Sequence, residues 1–481
     1  MNTMKTEYET VIGLEIHAQM STKSKLFCGC DNDSFGKAPN TNVCPICMGF
    51  PGMLPVISEE AFKRGIQTAL ALNCNIPNFS KFDRKNYFYP DLPNGFQISQ
   101  FEEPVSTIGH VDIEVDKEIL KIGITRLHLE NDAGKLTHVG GGSLVDYNRS
   151  GSPLMEIVTE PDLRSAKQAS ALAKTIQTIL RYVGSSEADM EKGMMRFDAS
   201  VSTRPKGDPK LYPRAEIKNL NSFRALEAAI GYEVKRQVKL WEEGNPMDGE
   251  ITVGWVDEKQ KTVLLRSKED AADYRYFPEP DLPPMTIDDK TIEKMKENIP
   301  ELPLAKRIKF IEKYGISEEE ALYFCETPQL AQFFEDVAIE SKDAKKAASF
   351  VGTVLIGKLK NEGLTLNECK IKSTDMAKLI TLINDDVISN NVAKTTVFEA
   401  MYTDGETPDA IIERLGLKQV SDSSEIEAMV QEILDQNPQA VEDFKAGKQN
   451  AIGFIIGQVM KASKGQANPK IVSKIVQEKL S

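Results

Sequence analysis

Four of the seven cysteines crowd together as Cys28-Gly-Cys30 and Cys44-Pro-Ile-Cys47, while Cys74, Cys325 and Cys369 stand alone. Two close thiol pairs separated by a loop can supply the four thiolates of a tetrahedral zinc site, and four protein ligands leave no open position for catalysis. Reduced, unliganded cysteines are the other reading; the odd total and the clustering argue against a disulfide framework. A second set is built of carboxylates and imidazoles: Glu15, His17, His128, Glu130, Asp132, Glu156 and Glu160. Oxygen-rich clusters attract magnesium, and magnesium beside nucleotide phosphates neutralises charge in phosphoryl transfer. Against this stands the reading of solvated or salt-bridged strand residues, which are common on an exposed sheet face.

Basic and aromatic residues interleave in two stretches, Lys81-Phe-Asp-Arg84-Lys85-Asn-Tyr-Phe-Tyr-Pro-Asp91 and Asp273-Tyr-Arg275-Tyr-Phe-Pro278. Such mixtures suit a nucleotide or an RNA end through stacking and phosphate pairing, and equally an ordinary tyrosine-rich packing surface. Lys81, Arg84, Lys85 and Arg275 are therefore candidate cofactor-binding residues, joined by Asp198 and Lys218. From Phe444 onward there are seven lysines and one acid, so Lys461, Lys464, Lys470 and Lys474 fit either a phosphate contact or a solvated helical face. The nearest approach to a P-loop, Gly352 to Lys358, has an apolar interior and Leu359 where Ser or Thr must bind magnesium, so it reads as helix. Gly140-Gly141-Gly142 reads as a turn before a strand at Leu144.

These residues need elements to aim them. Period-two alternation puts Val11, Gly13, Glu15 and His17 on one face of a strand and Ile12, Leu14 and Ile16 on the other. The same rule separates Arg126, His128 and Glu130 from Leu127 and Leu129, Glu156 from Met155 and Ile157, and Lys218 with Glu216 from Ile217. Helical spacing follows Ser165 (Leu172, Ile176, Ile179) and Ser222 (Phe223, Leu226, Ile230, Val234, Val238, Trp241). Helices would cover one side of a mainly antiparallel sheet, and the other side would be a polar basin. After the Pro-rich stretch 278–286 the pattern turns charged and helical. The expected organisation is α+β: residues 1–290 with a zinc-knuckle-like insertion at 28–47, an all-helical domain over 291–405, and a small helical tail domain over 406–481. Composition, 41% hydrophobic and 27% charged, is that of a packed globular protein, and a net charge of −13 excludes a chain that coats nucleic acid over its whole surface. Neither a secretory leader nor an apolar run of membrane length is evident, so a cytoplasmic location and no membrane partner are expected.

Taken together, VIGLEIHAQM, TKSKLFCGC, PNTNVCPICMGFPGMLPV, KFDRKNYFYPDLPNGFQISQ, RLHLENDAGKLTH, SLVDYNRSGSPLMEIVTEPDLRS, EIKNLNSFR and DYRYFPEPDLPP resemble the B subunit of aspartyl/glutamyl-tRNA amidotransferases, of the type without the inserted domain of its archaeal relative. The resemblance implies a cradle domain, a helical domain and a YqeY-like tail that contacts tRNA. It implies a ligase reaction in which ATP converts the side-chain carboxylate of glutamate or aspartate on a misacylated tRNA to an acyl phosphate, and ammonia then displaces phosphate. It places magnesium and activation on Glu15, His17, Glu130 with Asp132, and Glu156, and it makes the four cysteines a structural zinc site. Two departures stand out: Asn131 follows Glu130 where the family has a second acid, and Phe197 and Ser200 flank the retained Asp198 where relatives often carry Cys and Asn. The chain holds no recognisable ammonia generator, so the resemblance implies a heterotrimer with a glutaminase (A) subunit and a small wrapping (C) subunit. A non-catalytic tRNA-binding scaffold and a stand-alone ligase using free ammonia are the rival readings.

Overall fold

Strand alternation organises the first 300 residues. In β1 (Tyr8–Gln19) the side chains of Ile12, Leu14 and Ile16 are buried, while Gly13, Glu15 and His17 remain partly accessible on the opposite face. Each fully buried aliphatic side chain contributes about 1.5–3 kcal/mol, so the apolar face fixes which way every polar neighbour points. The computed structural model describes residues 7–267, 273–418, 423–445, 450–463 and 467–480.

Seven further strands complete the sheet: β2 (Ser106–Val115), β3 (Glu118–Asn131), β4 (Pro153–Thr159), β5 (Met195–Pro205), β6 (Ala215–Leu220), β7 (Ile251–Val256) and β8 (Lys261–Ser267). Their spatial order is β8-β7-β6-β5-β1-β4-β3-β2. Every neighbouring pair is antiparallel except β6 and β7, which are parallel and are joined by a helical crossover, as parallel neighbours require. Three helices matter here: α1 (Glu59–Ala71), α2 (Ala166–Tyr182) and α3 (Phe223–Glu242). Both expected caps are present, with Ser165 accepting from the Gln168 N–H and Ser222 from the Ala225 N–H. Leu172, Ile176, Leu226 and Ile230 join Ile12, Leu14, Ile16, Leu127 and Ile157 in one continuous core. Gly65 lets α1 lie close on β3, since a β-carbon there would come within 2.9 Å of Leu129.

Beside the large sheet, Asp83–Asn86 pairs with Phe96–Ser99 on one side and Phe277–Pro278 on the other. Gly140–Gly142 forms the turn of a hairpin, Gly141 at φ +87°, as its sequence predicts. The chain divides into two units after Ala305. The pattern change near Thr291 falls earlier because the helix Asp289–Glu297 and the segment after it still pack, through Met295, Ile299 and Leu302, on the first unit's core.

The described residues of the second unit are helical, giving the α+β class that the patterning predicts. Phe310, Phe324 and Phe334 anchor one of its cores, the last two stacked at 4.3 Å. Residues 349–362, which include the P-loop lookalike, are helical with Phe350, Val351, Leu355 and Leu359 buried. A separate core of Ile426, Val430, Ile455, Val459, Val472 and Val476 holds the last four helices together.

Candidate active site

Register assembles the polar face of the sheet. His17 stands opposite Glu156 of β4 and Arg196 of β5, and Glu156 stands opposite His128 of β3, so four strands give one row of ionisable side chains. One step along β1, Glu15 lies opposite Asp198 of β5. Directly opposed residues of antiparallel strands share a face, which is how stretches more than a hundred residues apart in sequence meet.

The His17 ring is the hinge of the cluster. Its Nδ1 lies 3.8 Å from both Glu130 Oε1 and Glu156 Oε2, and its Nε2 lies 3.8 Å from Asp198 Oδ2. His128 Nε2 is 3.2 Å from Glu156 Oε2 and 3.8 Å from Glu130 Oε2, and the Ser99 hydroxyl donates to Glu130 at 3.2 Å. Two potential ligand sets result, Glu15/His17/Asp198 and His17/Glu130/Glu156, each with ligand atoms within 4.8 Å of one another. Ligands at ~2.1 Å around an octahedral ion lie ~3.0 Å apart when adjacent and ~4.2 Å when opposite, so these separations fit ligands around one ion better than direct hydrogen bonds. Carboxylate oxygens suit magnesium, and the imidazole nitrogen also suits manganese.

Burial sharpens the electrostatics. It disfavours the charged form of every one of these groups, yet Glu156 is held far below the usual carboxylate range by His128, His17 and Lys85. Burial opposes the charge of His128 too, but Glu156 and Glu130 outweigh it and push this imidazole up to about 9. Asp198 is depressed despite its burial by His17 and Lys218, while Glu15 is raised, chiefly by burial. A cation bound by His17 would take the place of the proton on the ligating ring nitrogen.

A bulge sets Asp198. The register of β5 against β6 shifts between Phe197 and Ala199, Asn219 adopts φ +58°, and its N–H donates to Asp198 Oδ1 at 2.8 Å. The Lys218 ammonium donates to Asp198 Oδ2 at 2.9 Å, pairs with Glu216 and stands 4.0 Å from Glu15.

Of the residues that sequence reading assigns to this chemistry, Glu15, His17, Glu130, Glu156, Asp198 and Lys218 converge. Lys85 joins them: burial opposes its charge, but Glu130 and Glu156 raise it well above the ordinary lysine value. The structure does not bring the others in. Asp132 lies outside both ligand sets, its carboxylate taken by Gln19 at 2.9 Å, Arg196 at 3.1 Å and Arg149 at 3.5 Å. Arg84 alternates to the other face of its strand from Lys85, where it grips buried Glu279 at 2.7 Å and covers the Phe96 ring at 4.3 Å. Lys81 pairs with Glu102 at 2.5 Å, Arg275 is exposed and pairs with Asp273, and Glu160 accepts from Thr125. Asn131 stays out of both ligand sets, with its Oδ1 accepting the Ile98 N–H at 2.7 Å. Sequence reasoning misses Arg196, although the period-two rule puts it on the same strand face as Asp198 two residues later.

The four cysteine Sγ atoms gather within 4.8 Å of one another, close to the ~3.8 Å spacing of thiolates around a tetrahedral zinc. Buried Lys25 donates to Asn42 O at 2.9 Å and lies 3.7 Å from Cys47 Sγ. The Cys47 thiol is set to about 5 by a hydrogen bond from Cys28, the Cys44 N–H and the Lys25 charge, acting against burial. In the second unit, Lys470 and Lys474 project from one helix, 83% and 77% exposed, and Lys461 is exposed on the preceding helix; Lys464 lies outside the described residues. Among the described residues no helix is long and apolar enough to cross a membrane.

Comparison with known families places this geometry. Residues 10–293 match the GatB/GatE catalytic domain, and residues 332–480 match the GatB domain. The B subunit of the aspartyl/glutamyl-tRNA(Asn/Gln) amidotransferase of Carboxydothermus hydrogenoformans is 45% identical over 480 residues, covering 99% of each chain. The corresponding subunits of Thermoanaerobacter sp. and Persephonella marina are each 47% identical, covering 99% and 98% of this chain and all of their own. The sheet with its acidic face is thus a catalytic domain of the GatB/GatE type. The chain belongs to the family of tRNA-dependent amidotransferase B subunits, a ligase family whose reaction implies use of ATP.

Proposed function

We propose that this chain activates the side-chain carboxylate of glutamate or aspartate on a misacylated tRNA, within a multi-subunit amidotransferase. The observation that carries the reading is the convergence of Glu15, His17, Glu130, Glu156 and Asp198 on one sheet face, drawn from four neighbouring strands.

A carboxylate is a poor electrophile because attack would have to expel an oxide. Transfer of the ATP γ-phosphoryl group to a carboxylate oxygen forms an acyl phosphate and releases ADP; ammonia then forms the amide bond and phosphate leaves. Magnesium, when bound by Glu130, Glu156 and His17 or by Glu15, His17 and Asp198, supplies neutralisation of phosphate charge. The chain's own residues do the rest. Lys218 restrains Asp198 and faces Glu15, keeping these carboxylates from repelling one another, and Ser99 and His128 fix the oxygens of Glu130 and Glu156. Lys85 adds a partly buried positive charge beside Glu130 and Glu156, suited to an anionic substrate.

The Cys28, Cys30, Cys44 and Cys47 thiolates would hold a structural zinc, with buried Lys25 offsetting part of the site's negative charge. The exposed lysines at 461, 470 and 474, on a small C-terminal helical domain, would meet tRNA phosphates. A glutaminase subunit and a wrapping subunit would complete a heterotrimer and deliver ammonia, in a cytoplasmic complex.

The experiment is co-expression with candidate A and C subunits and assay of Glu-tRNA and Asp-tRNA with ATP and glutamine. Amidation that depends on all three subunits, with ADP formed for each amide, is expected. ATP cleavage that persists at the normal rate when Glu156 is replaced by Gln favours a scaffold, and activity of the chain alone on free glutamate favours a stand-alone ligase.

A further inference from the structure

Among the described residues Arg126 makes no ion pair, on a sheet face that carries several acids. Alternation along β3 puts it on the side of His128 and Glu130, and register sets it opposite Val158, whose other cross-strand neighbour is Glu15. Its Nε is buried and has no hydrogen-bond partner among the described residues. Two other cations on this face are committed, Arg196 to Asp132 at 3.1 Å and Lys218 to Asp198 at 2.9 Å, and Lys85 stands with Glu130 and Glu156. An unpaired guanidinium on this face, one strand over from the strand of Glu156 and two from that of Glu15, is placed for an incoming anion, and its planar fork matches phosphate oxygens two at a time.

Position narrows which phosphate. Two strand spacings separate Arg126 from Glu15, ~10 Å, a gap that an extended arginine and a phosphoryl group span together. Val158 and Glu15 also wall a cavity of about 200 Å³ whose other sides include Gly13, Ser200, Ser202 and Tyr212. Arg126 therefore flanks the strand that lines this cavity.

We infer that Arg126 binds the phosphoryl group as it passes from the nucleotide to the substrate carboxylate. The bond from phosphorus to the β,γ-bridging oxygen breaks, the bond to the carboxylate oxygen forms, and the guanidinium faces the charge carried on the non-bridging oxygens throughout. The inference rests on the carboxylate-activation reading of the same site.

The test uses the assembled amidotransferase carrying Arg126→Gln or Arg126→Lys, with Glu156→Gln alongside. Steady-state kinetics are measured for ATP and misacylated tRNA, and ATP and ADP affinities by calorimetry. Arg126→Gln is expected to lower kcat by on the order of 10²- to 10³-fold and to erase the preference for ATP over ADP, with the KM for tRNA unchanged. Arg126→Lys is expected to recover part of each, since it restores charge without the fork. A normal kcat and a normal ATP/ADP affinity ratio in Arg126→Gln overturn the inference. So does a raised KM for tRNA with nucleotide handling intact, which would make Arg126 an RNA phosphate contact. Should Arg126→Gln fail to fold, Arg126→Lys decides: a reduced ATP/ADP affinity ratio supports the inference, and unchanged kinetics and ratio overturn it. An active Glu156→Gln enzyme sinks the activation reading itself, whereas an inactive one beside a normal Arg126→Gln enzyme sinks only this inference.

Discussion

Replacing Glu156 by Gln keeps shape and removes charge, so it isolates what the carboxylate does. Glu156 faces two imidazoles, His128 at 3.2 Å and His17 at 3.8 Å, and belongs to one of the two potential ligand sets. At an effective dielectric of ~20, charges at those distances interact by roughly 5 and 4 kcal/mol, before the opposing cost of taking them out of water. Breaking a buried pair by removing one partner typically costs about 3–5 kcal/mol; because Gln still offers a carbonyl oxygen, about 2–3 kcal/mol is expected here. If that loss falls on the bound ion and the developing phosphoryl charge, it corresponds to roughly a 10²-fold fall in rate. The assay is release of radioactive phosphate from γ-labelled ATP in the presence of misacylated tRNA, with the partner's glutaminase activity and the melting temperature measured in parallel. The prediction is a fall of ~10² or more in tRNA-dependent ATP cleavage, with glutaminase activity of the partner retained in the absence of tRNA. Cleavage within about threefold of wild type, in a folded complex, would refute the argument that Glu156 acts in the chemistry.

Three other outcomes test the framework. Cys47→Ser should lose one equivalent of zinc by elemental analysis and lower thermal stability, while the Glu156-dependent chemistry survives in whatever fraction remains folded. Gly109→Ala should destabilise the first unit by about 1–3 kcal/mol in urea denaturation, because a β-carbon there would lie 2.4 Å from Cys74 Sγ and 2.7 Å from Leu72 O, leaving the strand no room without a backbone shift. In the second unit, Lys306 at 2.7 Å and Lys309 at 2.6 Å hold the buried Glu335 carboxyl below its ordinary value against the effect of burial. A carboxyl depressed in the folded state stabilises fully above its unfolded pKa of ~4.3 and loses that contribution as pH falls through the folded value. The stability gap between wild type and Glu335→Gln should therefore be constant near neutrality and shrink below about pH 4; a gap that grows on acidification contradicts the pairing.

Much of the site can be read from alternation alone, because one buried face fixes the other. Ile12, Leu14 and Ile16 point inward, so Glu15 and His17 must point outward, and Leu127 and Leu129 do the same for His128 and Glu130. Which strands become neighbours is a matter of register between stretches far apart in sequence, and alternation carries no such information; the family resemblance supplies it. Short strands are less legible: nothing in Asp83–Asn86 says whether Arg84 or Lys85 faces the acids, and the answer depends on Glu279, almost two hundred residues away. Asp132 lies just beyond the end of β3, where the period-two rule lapses, and Arg149 and Arg196 claim its oxygens. Arg196 itself is readable, since MRFDA alternates as plainly as GLEIH.

The central claim is that separated acids and imidazoles on one sheet face hold a divalent ion for phosphoryl transfer. Manganese scatters anomalously and accepts both carboxylate and imidazole ligands, so crystals of the assembled complex grown with manganese and a non-hydrolysable ATP analogue test it directly. The predicted result is an anomalous peak ~2.1–2.3 Å from a His17 nitrogen or from the oxygens of Glu130 and Glu156, or of Glu15 and Asp198, with a nucleotide phosphate oxygen completing its shell. Nucleotide bound with its metal at any other surface, and this face left without a peak, would contradict it.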